Sequence, residues 1–102
     1  MSFKKQYLKS KPVCKVTFKL SKAEAKSAEK VRLVGDFNEW DLSAEPMKKL
    51  KNGSFSATVE LEKDAEYQFR YLLNDQEWEN DWNADAYITS PVSFDDNSVL
   101  AV

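Results

Sequence analysis

Three tryptophans stand beside side chains that hydrogen-bond well. Trp40 closes the run Val31-Arg-Leu-Val-Gly-Asp-Phe-Asn-Glu-Trp40-Asp41, and the other two lie in Trp78-Glu-Asn-Asp-Trp82-Asn-Ala-Asp85. Trp beside Asn, Asp and Glu is poor core chemistry, because burying an unpaired acid costs several kcal/mol. The mixture suits an open site that stacks an indole on a flat ligand and hydrogen-bonds its rim. A sugar is such a ligand: the weakly positive C–H face of a pyranose meets the negative face of the indole, and its hydroxyls call for amides, carboxylates and a guanidinium.

Composition narrows the setting. A chain of 102 residues makes one domain with a modest core. Its net charge of −2 and isoelectric point near 5.2 argue against nucleic acid or an anionic membrane as partner, since both need a basic stripe. The one cluster of positive charge is N-terminal (Lys4, Lys5, Lys9, Lys11, Lys15), and residues 1–12, ending in Pro12, read as a flexible basic arm before a domain over 13–102. The single cysteine, Cys14, cannot form an intramolecular disulfide, and it falls on the apolar face of its strand as an inert thiol. No apolar run is long enough to span a bilayer and no signal-peptide core is visible, so the expected location is cytoplasmic. There is no histidine, which removes the commonest general base and metal ligand together; no metal or cofactor is expected.

The elements that must position these residues are strands. Cys14, Val16, Phe18 and Leu20 alternate with polar neighbours, and Phe55, Ala57, Val59 and Leu61 do the same, the period-2 signature of half-buried strands. Tyr67, Phe69, Tyr71 and Leu73 form the clearest case. Val31–Val34 is a strand stopped at Gly35-Asp36, and Asn52-Gly53-Ser54 fits a glycosylation sequon but reads as a turn. Asn74-Asp75-Gln76 turns into a short strand at 77–79. Residues 80–97 form a long polar loop with a brief strand at 86–89, and 98–102 is the last strand. Ser21–Lys30 has helix formers but no large apolar residue, so a loop or one helical turn is expected. The sum is an all-β sandwich of about seven or eight strands.

If Tyr67, Phe69 and Tyr71 face the core, Arg70 faces out, and the hairpin 66–79 returns Trp78 across that outward face. Arg70 offers a planar fork of donors able to bridge neighbouring hydroxyls. Trp40 lies just past the strand at 31–34, and Asn97 just before the final strand. Two indoles, Arg70 and Asn97 can thus converge on one patch. Phe37 is expected to anchor its loop in the core, Gly35 to supply a special backbone angle or close packing, and Trp82 to pack the loop or edge rather than meet a ligand.

Gly35-Asp-Phe-Asn-Glu-Trp40 resembles the Gly-x-Phe-Asn-x-Trp motif of family 48 carbohydrate-binding modules. Tyr67-Gln-Phe-Arg-Tyr71 is similar to that family's Tyr-x-Phe/Tyr-Lys/Arg-Phe/Tyr strand. Asp75-Gln-Glu-Trp78-Glu-Asn-Asp81 is similar to its Asp-Gly-x-Trp-x-x-Asp-Pro hairpin, and Asn97-Ser-Val-Leu-Ala-Val102 to its closing strand. The resemblance spans residues 13–102. It implies an immunoglobulin-like β-sandwich that binds α-1,4-glucans such as glycogen or starch without catalysis. It also implies that Trp40 and Trp78 stack on glucose, that Arg70 and Asn97 hydrogen-bond its hydroxyls, and that a glycogen-metabolising enzyme is a candidate partner. Two departures stand out. Trp82 replaces the proline after Asp81, and the last loop, 90–96, is about one residue longer, leaving open whether Val92 or Phe94 takes the place of a leucine that meets the sugar coil.

Two other functions compete. A glycosidase would need paired carboxylates in a deep cleft; Glu77, Glu79, Asp81 and Asp85 are available, but a small sandwich rarely builds one. The alternative is a protein–protein interaction module in which the aromatic patch meets another chain, because a fold does not fix a function.

Overall fold

The computed structural model describes residues 3–26, 28–82, 84–89 and 96–102. Nine strands occur among them: β1 (Phe3–Tyr7), β2 (Val13–Leu20), β3 (Val31–Gly35), β4 (Lys48–Lys49), β5 (Phe55–Glu62), β6 (Glu66–Leu73), β7 (Glu77–Glu79), β8 (Ala86–Thr89) and β9 (Asp96–Ala101). They form two antiparallel sheets, β1-β2-β5-β4 and β3-β6-β9-β8, with β7 also paired to β6. The protein is an all-β sandwich, as the alternating pattern predicts, and no α-helix occurs among the described residues.

The period-2 residues do the packing. Cys14, Val16, Phe18 and Leu20 of β2 and Phe55 and Leu61 of β5 meet Val31 and Leu33 of β3, Phe69, Tyr71 and Leu73 of β6 and Leu100 of β9 in one buried cluster. Phe18 meets Phe69 edge-on at 5.3 Å, and Phe69 meets Tyr71 edge-on at 5.7 Å, the arrangement that ring quadrupoles favour.

Two local expectations are corrected, and a third gains a detail. Where a flexible arm was expected, Phe3–Tyr7 pairs with β2 from Phe3↔Phe18 to Tyr7↔Cys14. Lys5 then reaches across the gap between the sheets, its Nζ donating to Asp85 Oδ2 at 2.8 Å; this inter-sheet anchor depends on a residue 80 positions away, which no local pattern reports. The Ser21–Lys30 segment is a turn, as expected, and it also adds Ala25 and Ala28 to the core. Its one turn is set by a reciprocal cap, Ser21 N–H to Glu24 Oε1 at 3.0 Å and Glu24 N–H to Ser21 Oγ at 3.1 Å, the capping-box arrangement. Finally, Asn97 lies inside β9 rather than before it.

Sheet register places the candidate residues. β3 pairs with β6 over 69–73, so β7, which pairs with 71–73, lies on the opposite side of β6, in line with β9, which pairs with 66–69. Asn97 is next along β9 from Ser98, the partner of Phe69, and so falls beside Arg70. Directly opposed residues share a face; the outward face therefore carries Val34, Arg70, Asn97 and Ile88 in one row and Arg32, Leu72 and Trp78 in the next.

Candidate functional site

Trp40 is presented by a short, tightly tied loop. After β3 the chain makes a 3-10 turn over Asp36–Asn38. Asn38 closes it, its Oδ1 accepting from Gly35 N–H at 3.0 Å and its Nδ2 donating to Leu33 O at 2.9 Å. Phe37 packs inward, 5.9 Å from the Phe18 ring and 6.5 Å from that of Phe69, the anchoring its sequence predicts. Gly35 is extended, and close packing is what requires glycine there: a Cβ would sit 2.6 Å from Gln68 O and 2.7 Å from Phe69 Cβ. Glu39 and Trp40 both take left-handed backbone, φ 58° and 56°. That conformation is costly for a bulky side chain and collects at ligand-binding and switch regions. Asp36 holds the result in place: Trp40 Nε1–H donates to its Oδ1 at 2.8 Å, and the Gln68 backbone N–H donates to its Oδ2 at 2.8 Å. Its indole N–H is thus engaged, and Trp40 is half-buried.

Arg70 and Asn97 come together directly. Arg70 Nε–H donates to Asn97 Oδ1 at 2.5 Å, and Asn97 Nδ2 donates to Gln68 Oε1 at 2.9 Å. They are more enclosed than open donors would be, Arg70 8 % exposed and Asn97 6 %. The reason is their place: both stand in the middle of the sheet beside Val34, Leu72 and Val99, which are buried on the same outward face and lie outside the core cluster. An arginine there lays its stem along apolar neighbours. Gln68, not among the expected site residues, joins the groups: its backbone N–H donates to the acid that holds Trp40, and its side-chain oxygen accepts from Asn97. Its position two residues before Arg70 on an alternating strand was the available signal.

Trp78 lies on this face opposite Leu72, one row from Arg70, and is 40 % exposed. Outward positions two apart on a strand are about 7 Å from one another, so Trp78 and the Arg70–Asn97 pair can face one small ligand. Trp40 reaches the group through Asp36 and Gln68 only. Val92 and Phe94 lie outside the described residues.

The connection after β7 is fastened by Asp81, almost fully buried. Its carboxylate accepts from the Tyr71 hydroxyl at 2.8 Å and its N–H donates to Ser98 Oγ at 2.8 Å, while Ser98 Oγ–H donates to Asn80 Oδ1 at 2.8 Å. Burial, and then the charge of Asp81, push the Tyr71 hydroxyl well above the usual phenol range. Trp82 is 54 % exposed, and the loop is also fastened by Tyr87, whose hydroxyl donates to Asp81 O at 2.5 Å. No group of His, Cys, Asp or Glu that could hold a metal occurs among the described residues, and none of their helices is long and apolar enough to cross a membrane.

The family model for carbohydrate-binding module 48, the isoamylase N-terminal domain, matches residues 14–88, well over half of the chain. The chain belongs to this family. Carbohydrate is therefore the ligand class of the module, and the match takes in the Trp40 loop, β6 with Arg70, and the Trp78 hairpin. A search of curated proteins gives no match.

Proposed function

We propose that the module binds α-1,4-glucan, of the glycogen or starch type, without catalysis, through the outward face of the β3-β6-β9 sheet. Trp40 and Trp78 stack on glucose rings, and Arg70 and Asn97 hydrogen-bond the hydroxyls between them. The observation that carries this reading is the bonded Arg70–Asn97 pair one row from a half-exposed indole, in a chain of a carbohydrate-binding family. The left-handed backbone of Trp40 and the bond that ties its indole to Asp36 support it, since such conformations cluster at ligand sites. A shallow site touching two or three rings gives about −4 to −7 kcal/mol, a micromolar to millimolar Kd, raised on polymer by avidity. The module would then deliver a glycogen-metabolising enzyme to its substrate, in a cytoplasmic setting that suits a free, buried Cys14.

A second reading, a protein-contact face, draws on the exposure of Trp82, Tyr87 and Ile88 at the β8 end. Tryptophan fluorescence separates the two. Maltoheptaose should shift the emission saturably while cello-oligosaccharide of the same length does not. A flat response to both sugars would sink the glucan reading.

A further inference from the structure

The two sides of the sandwich are closed differently. On the β1 side, the Lys5–Asp85 pair spans the gap between the sheets at 2.8 Å. On the β5 side, the chain leaving β3 crosses to the other sheet at Pro46 and Met47. Pro46 bridges to Arg32, Met47 N–H donates to Val31 O at 2.7 Å, and Lys48 and Lys49 then pair with Ser56 and Phe55. Beyond that crossing, residues 57–62 of β5 have no strand beside them on the β4 side among the described residues. An open groove of about 740 Å³ runs there, its apolar floor including Leu33, Phe37, Met47, Ala57 and Val59.

The ladder says which groups are open. Leu50 N–H donates to Ser54 O at 2.8 Å, and bonded pairs alternate along an antiparallel ladder, so Ser56, Thr58, Glu60 and Glu62 point their backbone groups toward this edge. Lys48 takes those of Ser56, and Glu62 O already accepts from the Tyr67 hydroxyl at 3.0 Å. Among the described residues, Thr58 and Glu60 are left with an N–H and a C=O apiece, spaced as one extended strand requires. β3 differs, because its own loop fills its edge at Leu33 and Gly35. Side chains beside the open rungs alternate. Ala57, Val59 and Leu61 point into the groove, while Thr58, Glu60 and Glu62 are exposed. Glu45 lines the same groove, and none of Glu45, Glu60 and Glu62 has an ion-pair partner among the described residues.

We propose that β5 accepts, along residues 57–61, an extended peptide strand of a protein partner whose side chains alternate apolar and basic. Its backbone pairs with Thr58 and Glu60, its apolar side chains enter the groove beside Val59, and its basic ones lie against Glu60 and Glu45. A second copy of the chain fits poorly. Centred on Val59, two β5 strands place the partner's Glu62 where Lys48 already sits; centred on Glu60, they set two Glu60 carboxylates directly opposite, a like-charge pair. The surface is separate from the sugar face and stands whether or not the glucan reading holds.

The test is residue-resolved amide exchange on the whole chain with an acetylated octapeptide alternating valine and lysine. The free protein should exchange quickly at Thr58 and Glu60, and the peptide should slow both by roughly tenfold or more. Glu60→Lys together with Glu45→Lys should weaken binding by about tenfold or more, and a valine–glutamate peptide should restore it. The proposal is overturned if the peptide leaves both amides unprotected, if it binds wild type and the charge-reversed variant alike, or if maltoheptaose protects these amides. It also fails if they are already slow in a free protein that sediments as a dimer.

Discussion

Trp78 and Arg70 should respond differently to truncation although both are assigned to sugar. Trp78 is 40 % exposed, so Trp78→Ala should remove a stacking face while the thermal midpoint stays near wild type. Arg70 is buried and donates to Asn97. Arg70→Ala should leave that amide with an unmatched acceptor and lower unfolding free energy by about 1–3 kcal/mol, in addition to weakening glucan binding. Urea melts of the two variants check the split. If Arg70→Ala is as stable as wild type, the pair is not the structural unit described. The sequence made Arg70 legible because outward positions on an alternating strand can be counted; Trp78 followed from the hairpin, and Asn97 was expected just before the last strand rather than in it. It could not reveal that Arg70 and Asn97 are mostly enclosed, because burial at the centre of a sheet depends on neighbours from three other strands.

The Trp40 loop depends on how closely β3 approaches β6. Gly35→Ala would drive a Cβ to 2.6 Å from Gln68 O. Moving the strands apart costs about 1–3 kcal/mol and shifts Asp36, whose two oxygens hold Trp40 and Gln68. Both stability and glucan affinity should fall, measured by thermal melts and maltoheptaose titration; loss of neither would contradict the coupling. β2, β3, β5 and β6 were readable to within a residue: β2, β5 and β6 show their core face as period 2, and β3 is a short run stopped at Gly35-Asp36. β1 and β4 were not. Phe3-Lys-Lys-Gln-Tyr7 has no alternation to read and is a strand because β2 offers it an edge, and the two residues of β4 are too short for any period. Ala25 and Ala28 were missed for a related reason: a small side chain can be core without looking apolar.

As a whole the module should be nearly indifferent to pH around neutrality. It has no histidine, so glucan affinity should change less than about twofold between about pH 5.5 and 8. Stability should fall outside that window, at both ends. Desolvation, then Asp81, raise the Tyr71 hydroxyl pKa above its unfolded value. The resulting stability is fully present below the unfolded phenol value of about 10 and is lost as pH rises through the higher folded value. Asp75 works in the other direction. A hydrogen bond from Arg32, with Lys30 nearby, holds it below the usual carboxylate range, so its exposed contribution is present above the unfolded value and lost as pH falls through the folded one. Tyr71→Phe should flatten the alkaline limb of a stability–pH curve and leave the acid limb in place. The central claim, that this sandwich holds α-glucan through two indoles on one face, is tested most directly by sedimentation with insoluble amylose. Wild type should pellet with the polymer, while Trp40→Ala and Trp78→Ala, folded by circular dichroism, should remain largely in the supernatant. Wild type left in solution, or both variants pelleting as wild type does, would contradict it.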